Sequence, residues 1–200
     1  MKKALIPLMI MMLILGGCSK PAMPQLDTSK RIYNTFAGMQ SYSAIVRLTT
    51  YSNNNTNTYE MKQYYKTPDK MRSESGGVIT VINGERATIK GNGASSPLKM
   101  ERLGVEDSDF MFLQNFFEAY YRNEDTVASV SADDSELVTL SVDTGLSNQY
   151  KAEAKLVLDT AQMKPVSLEI KGRDGKTYSK IEYTEFKINP ELGDELFEIS

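Results

Sequence analysis

"SYSAIVRLTTYSNNNTNTYEMKQYYK", residues 41–66, is where the period of the chain changes. Just before it, in "TSKRIYNTFAGMQ", Ile32, Phe36 and Met39 recur at intervals of four and three, the spacing of one helix face. From Ser41 the interval is two. Ala44, Val46 and Leu48 alternate with Ile45 and Arg47; after a polar tract of Asn and Ser, Tyr59 and Met61 alternate with Glu60 and Lys62. Two such runs around a polar loop predict a β-hairpin with one buried face. The helix ahead of it has Thr28 or Ser29 as a candidate cap and Gly38 near its end. Tyr64 and Tyr65 are neighbours in a strand, so they point to opposite faces and at most one can meet a given cavity.

Downstream the β pattern continues. "KTPDK" reads as a turn and "MRSES" as a short strand, and Asn83-Gly84 between two β-branched runs predicts a hairpin. "GNGASSP" is a breaker loop; no Gly-Lys-Ser/Thr follows it, so it is not a phosphate loop. "DSDFMFLQNFFEAYYRN", residues 107–123, returns to helical spacing. Phe110, Leu113, Phe117 and Tyr120 fall on one stripe, Phe112 and Phe116 widen it, and Gln114, Asn115 and Glu118 form the polar side, with Ser108 or Asp109 as cap. The stripe predicts a helix buried against a sheet; part of it could instead line an apolar cavity. "ELVTLSV", "YKAEAKLVLD", "KPVSLEIKG" and "TYSKIEYTEFKI" read as strands, with Val166, Leu168 and Ile170 on one face and a turn at Arg173–Lys176. The apolar phase slips between Tyr183 and Phe186, which predicts a bulge. Leu196, Phe197 and Ile199 are expected to dock back on the core. Short connections favour antiparallel neighbours, and two helices cannot cover both faces of so many strands. The expected fold is α+β: a strongly curved antiparallel half-barrel with the helices on its concave face.

The first residues carry a different message. Lys2 and Lys3 precede an apolar run from Ala4 to Leu15, broken only by Pro7, and Gly16-Gly17 follow. This predicts a signal peptide over residues 1–17, since a membrane-spanning helix needs about 20 apolar residues. Leu15-Gly16-Gly17-Cys18 resembles the lipobox of bacterial lipoproteins. That resemblance implies cleavage before Cys18, a diacylglycerol on its sulfur and an acylated amine such as a palmitate. The other reading is an ordinary signal peptide with an incidental cysteine. Several acyl chains anchor a protein stably where one is marginal. The expected location is the outer face of a bacterial cytoplasmic or spore membrane. Residues 18–27, with Pro21 and Pro24, are expected to be a tether reaching about 30 Å, and residues 28–200 a single domain.

Composition narrows the function. Without residues 1–17 the chain carries 21 basic and 26 acidic side chains, a net charge of −5, which argues against a nucleic-acid partner. There is no His, and Cys18 is the single cysteine, so no disulfide, Ser–His or Cys–His arrangement can form. Glu106, Asp107 and Asp109, or Asp133 and Asp134, lack the spacing of a calcium loop and read as solvated loops. Asn54-Asn55-Thr56 satisfies the formal glycosylation pattern, which is common by chance. No catalytic residue, metal site or cofactor is expected. The sites named are Cys18 for lipidation and Phe110, Phe112, Leu113, Phe116, Phe117 and Tyr120 as candidate cavity or core lining.

"MQSYSAIVRLTTY" with "MKQYYKTPDKMRSE", then "VINGERATI", then the tail from "AKLVLD" through Asn189-Pro190 to "DELFEI", resembles the LolA/LolB-like lipoprotein-carrier folds. Within them, the lipobox and length are most similar to the GerS family of clostridial germination lipoproteins. The resemblance implies a non-enzymatic lipoprotein of the spore envelope that binds and activates a cortex-modifying N-acetylmuramoyl-L-alanine amidase of the CwlD type. The alternative it leaves open is a carrier or sensor that takes an acyl chain or other lipid ligand into the concave face.

Overall fold

The computed structural model describes residues 22–52, 55–101, 110–124 and 126–199. The signal peptide, Cys18, the proposed caps Ser108 and Asp109, the carboxylates Glu106 and Asp107, and Asn54 lie outside the described residues.

Helix α1 (Leu26–Ala37) buries Ile32 and Phe36, as the spacing predicts, and Gly38 ends it. It begins ahead of Thr28: Gln25 sits at the cap position with no side-chain bond, and its carbonyl accepts the Ser29 N–H at 3.0 Å. Leu26 and Asp27, expected in the tether, are therefore helical. Ala22 is also held, because its carbonyl accepts the N–H of Val130 at 2.7 Å.

The next six strands form a meander: β1 (Ser41–Ser52), β2 (Asn55–Lys66), β3 (Lys70–Ser75), β4 (Val78–Asn83), β5 (Arg86–Lys90) and β6 (Leu98–Glu101). Helix α2 (Leu113–Arg122) leads to a second meander of β7 (Val127–Val130), β8 (Leu137–Asp143), β9 (Glu153–Asp159), β10 (Lys164–Lys171) and β11 (Thr177–Ile188). β11 pairs with β1, so the described strands make one antiparallel sheet in the order β6-β5-β4-β3-β2-β1-β11-β10-β9-β8-β7. It is the α+β half-barrel expected, with the helices in its concave face. β6 and β7 are strands that the sequence pattern does not announce.

Register explains the core. Tyr42 lies opposite Tyr65, Tyr65 opposite Met71, Met71 opposite Ile82, and Ile82 opposite Ala87, so one row of side chains crosses five strands on the concave face. On the other half, Ile181, Leu168, Leu156 and Leu140 make the matching row. Tyr65 is buried in this face while Tyr64 is half-buried on the other. The phase slip between Tyr183 and Phe186 is a bulge: Ile45 opposes Glu185 and Val46 opposes Tyr183, leaving Thr184 unmatched. The Thr184 hydroxyl donates to the Ile45 carbonyl at 3.0 Å, and both Tyr183 and Phe186 return to the concave side.

Three local expectations are corrected. A second register shift between Pro165 and Ser167 turns Val166 outward, so it is exposed rather than aligned with Leu168 and Ile170. The hairpin after β4 turns on Gly84-Glu85, with Asn83 paired to Arg86; only Gly84, at φ 62°, needs the left-handed region there. The chain end does dock back, but on the convex face: a 3-10 turn (Asp194–Phe197) packs on β3 and β4 and buries Phe197, apart from the main core.

Candidate functional site

The concave face is filled by the chain itself. Phe112, Leu113, Phe116 and Phe117 are buried there, Phe110 joins them, and Tyr120 packs against them half-buried. The stripe is not all helix, since Phe110 and Phe112 precede α2 and Phe112 occupies its cap position in extended conformation. Aromatic contacts tie the helices together: Phe36 stacks on Phe117 with ring centroids 4.5 Å apart, and Tyr33 meets Tyr121 edge-on at 5.3 Å.

A helix that starts on Phe112 has no side-chain cap of its own. The β1–β2 hairpin supplies the missing polar partners. The Leu113 N–H donates to the Tyr42 hydroxyl at 3.2 Å, and Gln63 Nε2 donates to the Met111 carbonyl at 3.0 Å. Burial holds the Tyr42 phenol well above the usual tyrosine range, with the neighbouring Tyr183 adding to the effect. Burial likewise raises Tyr183, whose hydroxyl, like Gln63 Oε1, has no partner among the described residues. Both phenols therefore stay neutral donors and acceptors, unsuited to act as bases. Tyr42 and Gln63 are absent from the sequence-derived site. The one signal for Gln63 is its phase, an amide at the concave position between Met61 and Tyr65.

At the far end of the strands a cavity of about 280 Å³ remains between β1, β10 and β11. Leu48, Phe110, Met111, Ile170 and Ile181 make it largely apolar, and Tyr150 and Tyr178, 4.9 Å apart, stand at its side. Of the six residues named from the sequence, Phe110 alone borders it. The volume sits just under the roughly 300–1,000 Å³ usual for small-molecule sites. Thr50, Lys151 and Ser179 add the polar groups of its lining, which can orient a ligand.

The outer surface offers an open strand edge. β3 pairs with β2 only over Lys62–Lys66, so Asn55–Met61 has no strand partner on that side among the described residues. Asn55 to Glu60 are all exposed, and none from Asn55 to Tyr59 is charged. A notch bounded by Glu60, Ser75, Gly76 and Gly77 continues the line of β3, with the Ser75 hydroxyl donating to the Glu60 carbonyl at 2.7 Å. Below it the chain end is clamped. Asp194 meets Lys66 at 2.7 Å and Lys70 at 3.0 Å, and Arg72 donates to the Leu196 carbonyl at 3.0 Å. Hydrogen bonds from Lys66, then Lys70, hold the Asp194 carboxyl down to about 2.

Asp134 serves a turn, its carboxylate accepting the Glu136 N–H at 2.9 Å. Among the described residues no group of three His, Cys, Asp or Glu side chains could hold a metal, and no helix is long and apolar enough to cross a membrane.

Residues 1–197 match the family model for sporulation protein YdcC-like proteins. No curated protein matches the chain by sequence. Among solved structures, an uncharacterized conserved protein from Thermus thermophilus shares the fold, at 13% identity and a TM-score of 0.54, over 86% of this chain and 90% of that one. Looser likenesses are to the LolA superfamily protein NE2245 from Nitrosomonas europaea (13% identity, TM-score 0.44, 89% and 99% covered) and to the structure of the CwlD amidase from Clostridioides difficile in complex with the GerS lipoprotein (18% identity, TM-score 0.43, 84% and 98% covered). The architecture is one open, curved antiparallel sheet with its helices inside, the fold shared with the Thermus thermophilus protein.

Proposed function

This chain belongs to the sporulation protein YdcC-like family, and on that premise we propose that it is a membrane-anchored lipoprotein without catalytic chemistry, which works by binding another protein. The observation that carries this reading is the filled concave face. A carrier needs an open apolar cavity and a lid; here Phe112, Leu113, Phe116 and Phe117 occupy that space and are locked by Tyr42 and Gln63. Affinity is left to the outer surface. The open edge of β2 presents backbone donors and acceptors to a partner strand, without the charges that usually blunt such edges.

The partner is an N-acetylmuramoyl-L-alanine amidase of the CwlD type, the class implied by the resemblance to germination lipoproteins. Cys18 is the anchor, and the location is the outer face of a cytoplasmic or spore membrane. Confinement of both proteins to one plane raises their effective concentration. The test is co-elution on size exclusion. The wild-type chain should travel with the amidase, and the double variant Asn57→Lys/Tyr59→Lys, which places two cations on the edge, should not. Co-elution unaffected by the two lysines would move the contact elsewhere.

A second reading is favoured by one feature, the apolar cavity beside Phe110 and Ile170. It would seat a short apolar group, which makes the chain a lipid sensor or carrier. Extraction of the purified protein with organic solvent separates the two readings, since a carrier releases lipid in molar proportion.

A further inference from the structure

The chain leaves little slack between the proposed anchor and the folded domain. Ala22 is fixed to strand β7 through the 2.7 Å bond from Val130, so three residues, or four Cα steps, separate Cys18 from a held position. Fully extended, four steps span about 14 Å. A cysteine carrying acyl chains sits at the boundary of hydrocarbon and headgroups, and the headgroup region is itself about 5–8 Å thick on each side. Ala22 therefore lies at most about 6–9 Å above the headgroups, and closer for any less extended path of residues 19–21.

What lies next to Ala22 is unusual for a surface. Met23 is 81% exposed and Leu26 71% exposed. At 100° per residue, Leu26, Lys30, Tyr33 and Ala37 fall on one narrow face of α1, beside the buried face of Ile32 and Phe36. Tyr33 is 57% exposed and meets Tyr121 of α2, itself 39% exposed, edge-on at 5.3 Å. The face thus carries large apolar groups nearest the anchor, a lysine in the middle and a pair of tyrosines beyond. That is the composition of a surface at a lipid interface: tyrosine rings sit at headgroup level, and a lysine stem buries its methylenes while its ammonium stays wet.

We propose that the exposed face of α1, with Met23, Leu26, Tyr33 and Tyr121, rests in the headgroup layer and fixes the orientation of the domain on the membrane. This rests on the reading of Cys18 as a lipid anchor. In that orientation the helix end of the half-barrel lies against lipid. The open edge of β2 lies at the opposite end of the strands from Ser41, where α1 joins the sheet, and so faces away from the membrane toward a partner. The domain is a docked platform rather than a body swinging on a long tether.

The chain has no Trp, so each single tryptophan introduced is a sole reporter. The full chain is produced in a bacterium that processes lipoproteins and returned to vesicles of phosphatidylethanolamine and phosphatidylglycerol with brominated acyl chains. Intact mass reports whether Cys18 is acylated. Tyr33→Trp and Leu26→Trp should each lose about half their emission and shift to the blue, as expected for groups buried about 5–10 Å into the interface, while Tyr59→Trp on the distal hairpin should lose less than about a tenth. Acylated protein in which Tyr33→Trp and Leu26→Trp are quenched no more than Tyr59→Trp overturns the docked orientation alone. The same holds if their emission is shielded only when a protein partner is added. Unacylated Cys18 overturns the lipoprotein reading, and the docked orientation falls with it.

Discussion

Truncating Phe117 tests whether the concave face is solid. Its side chain is 1% exposed, stacked on Phe36 at 4.5 Å, edge-on to Phe116 at 5.5 Å and stacked on Tyr121 at 5.7 Å. Phe117→Ala removes a ring from the seam between the two helices and the sheet, and its three ring neighbours are held by other contacts, so the hole cannot collapse fully. Phe→Ala in such a core costs about 3–5 kcal/mol. Within that loss the stacked pair should show its own coupling. An aromatic pair contributes about 0.5–1.5 kcal/mol beyond its buried area, so Phe36→Ala and Phe117→Ala together should cost less than their sum by about that amount. Urea unfolding followed by far-ultraviolet circular dichroism gives all three values, and an unchanged denaturant slope shows that the folded state is intact. A loss below about 1 kcal/mol for Phe117→Ala would mean that the ring borders open space, and the filled-core account would be wrong.

Tyr42→Phe keeps the ring and removes the acceptor for the Leu113 N–H. It should cost about 1–3 kcal/mol in the same assay, and hydrogen exchange should quicken in the first turn of α2 before anywhere else. Gln63→Met leaves the Met111 carbonyl without its donor and should cost a similar about 1–3 kcal/mol; a neutral outcome would show that the buried amide does not fasten that segment. For Asp194 the folded-state carboxyl lies below its ordinary value, so its clamp is present above the usual carboxylate range and is lost as pH falls toward about 2. The ring resonances of Phe197 should move toward their unfolded positions over that range. In Asp194→Asn they should not titrate there, and a midpoint near the ordinary carboxylate value in the wild type would refute the clamp.

The half-barrel was legible because its long strands repeat the alternation many times. Tyr42, Ala44, Val46 and Leu48 mark one face over a single strand, and the phase slip from Tyr183 to Phe186 is visible because the runs on both sides are long enough to fix the phase. β6 and β7 have four residues each, too few alternations to register. Val166 misleads for a physical reason: Pro165 and Leu168 both face inward across the bulge, so a run that alternates in sequence does not alternate in space. The start of α2 is hidden because its polar partners, Tyr42 and Gln63, lie far away in the chain. The open edge of β2 is a difference in length between two neighbouring strands, and no residue type announces it. The anchor motif was the most explicit signal in the sequence. How close the proposed anchor would hold the domain depends on one backbone bond, from Val130 to Ala22, between residues far apart in sequence.

On the reading proposed above, the chain acts by contact with a partner and has no chemistry of its own. Muramoyl–alanine cleavage of cortex peptidoglycan, measured for the purified chain alone, for a CwlD-type amidase alone and for the two mixed, tests it most directly. The chain alone, with or without added zinc, should release nothing, and the mixture should cleave faster than the amidase by itself. Cleavage by the chain alone would contradict the account. So would a mixture no faster than the amidase, together with a lipid bound to the chain in molar proportion.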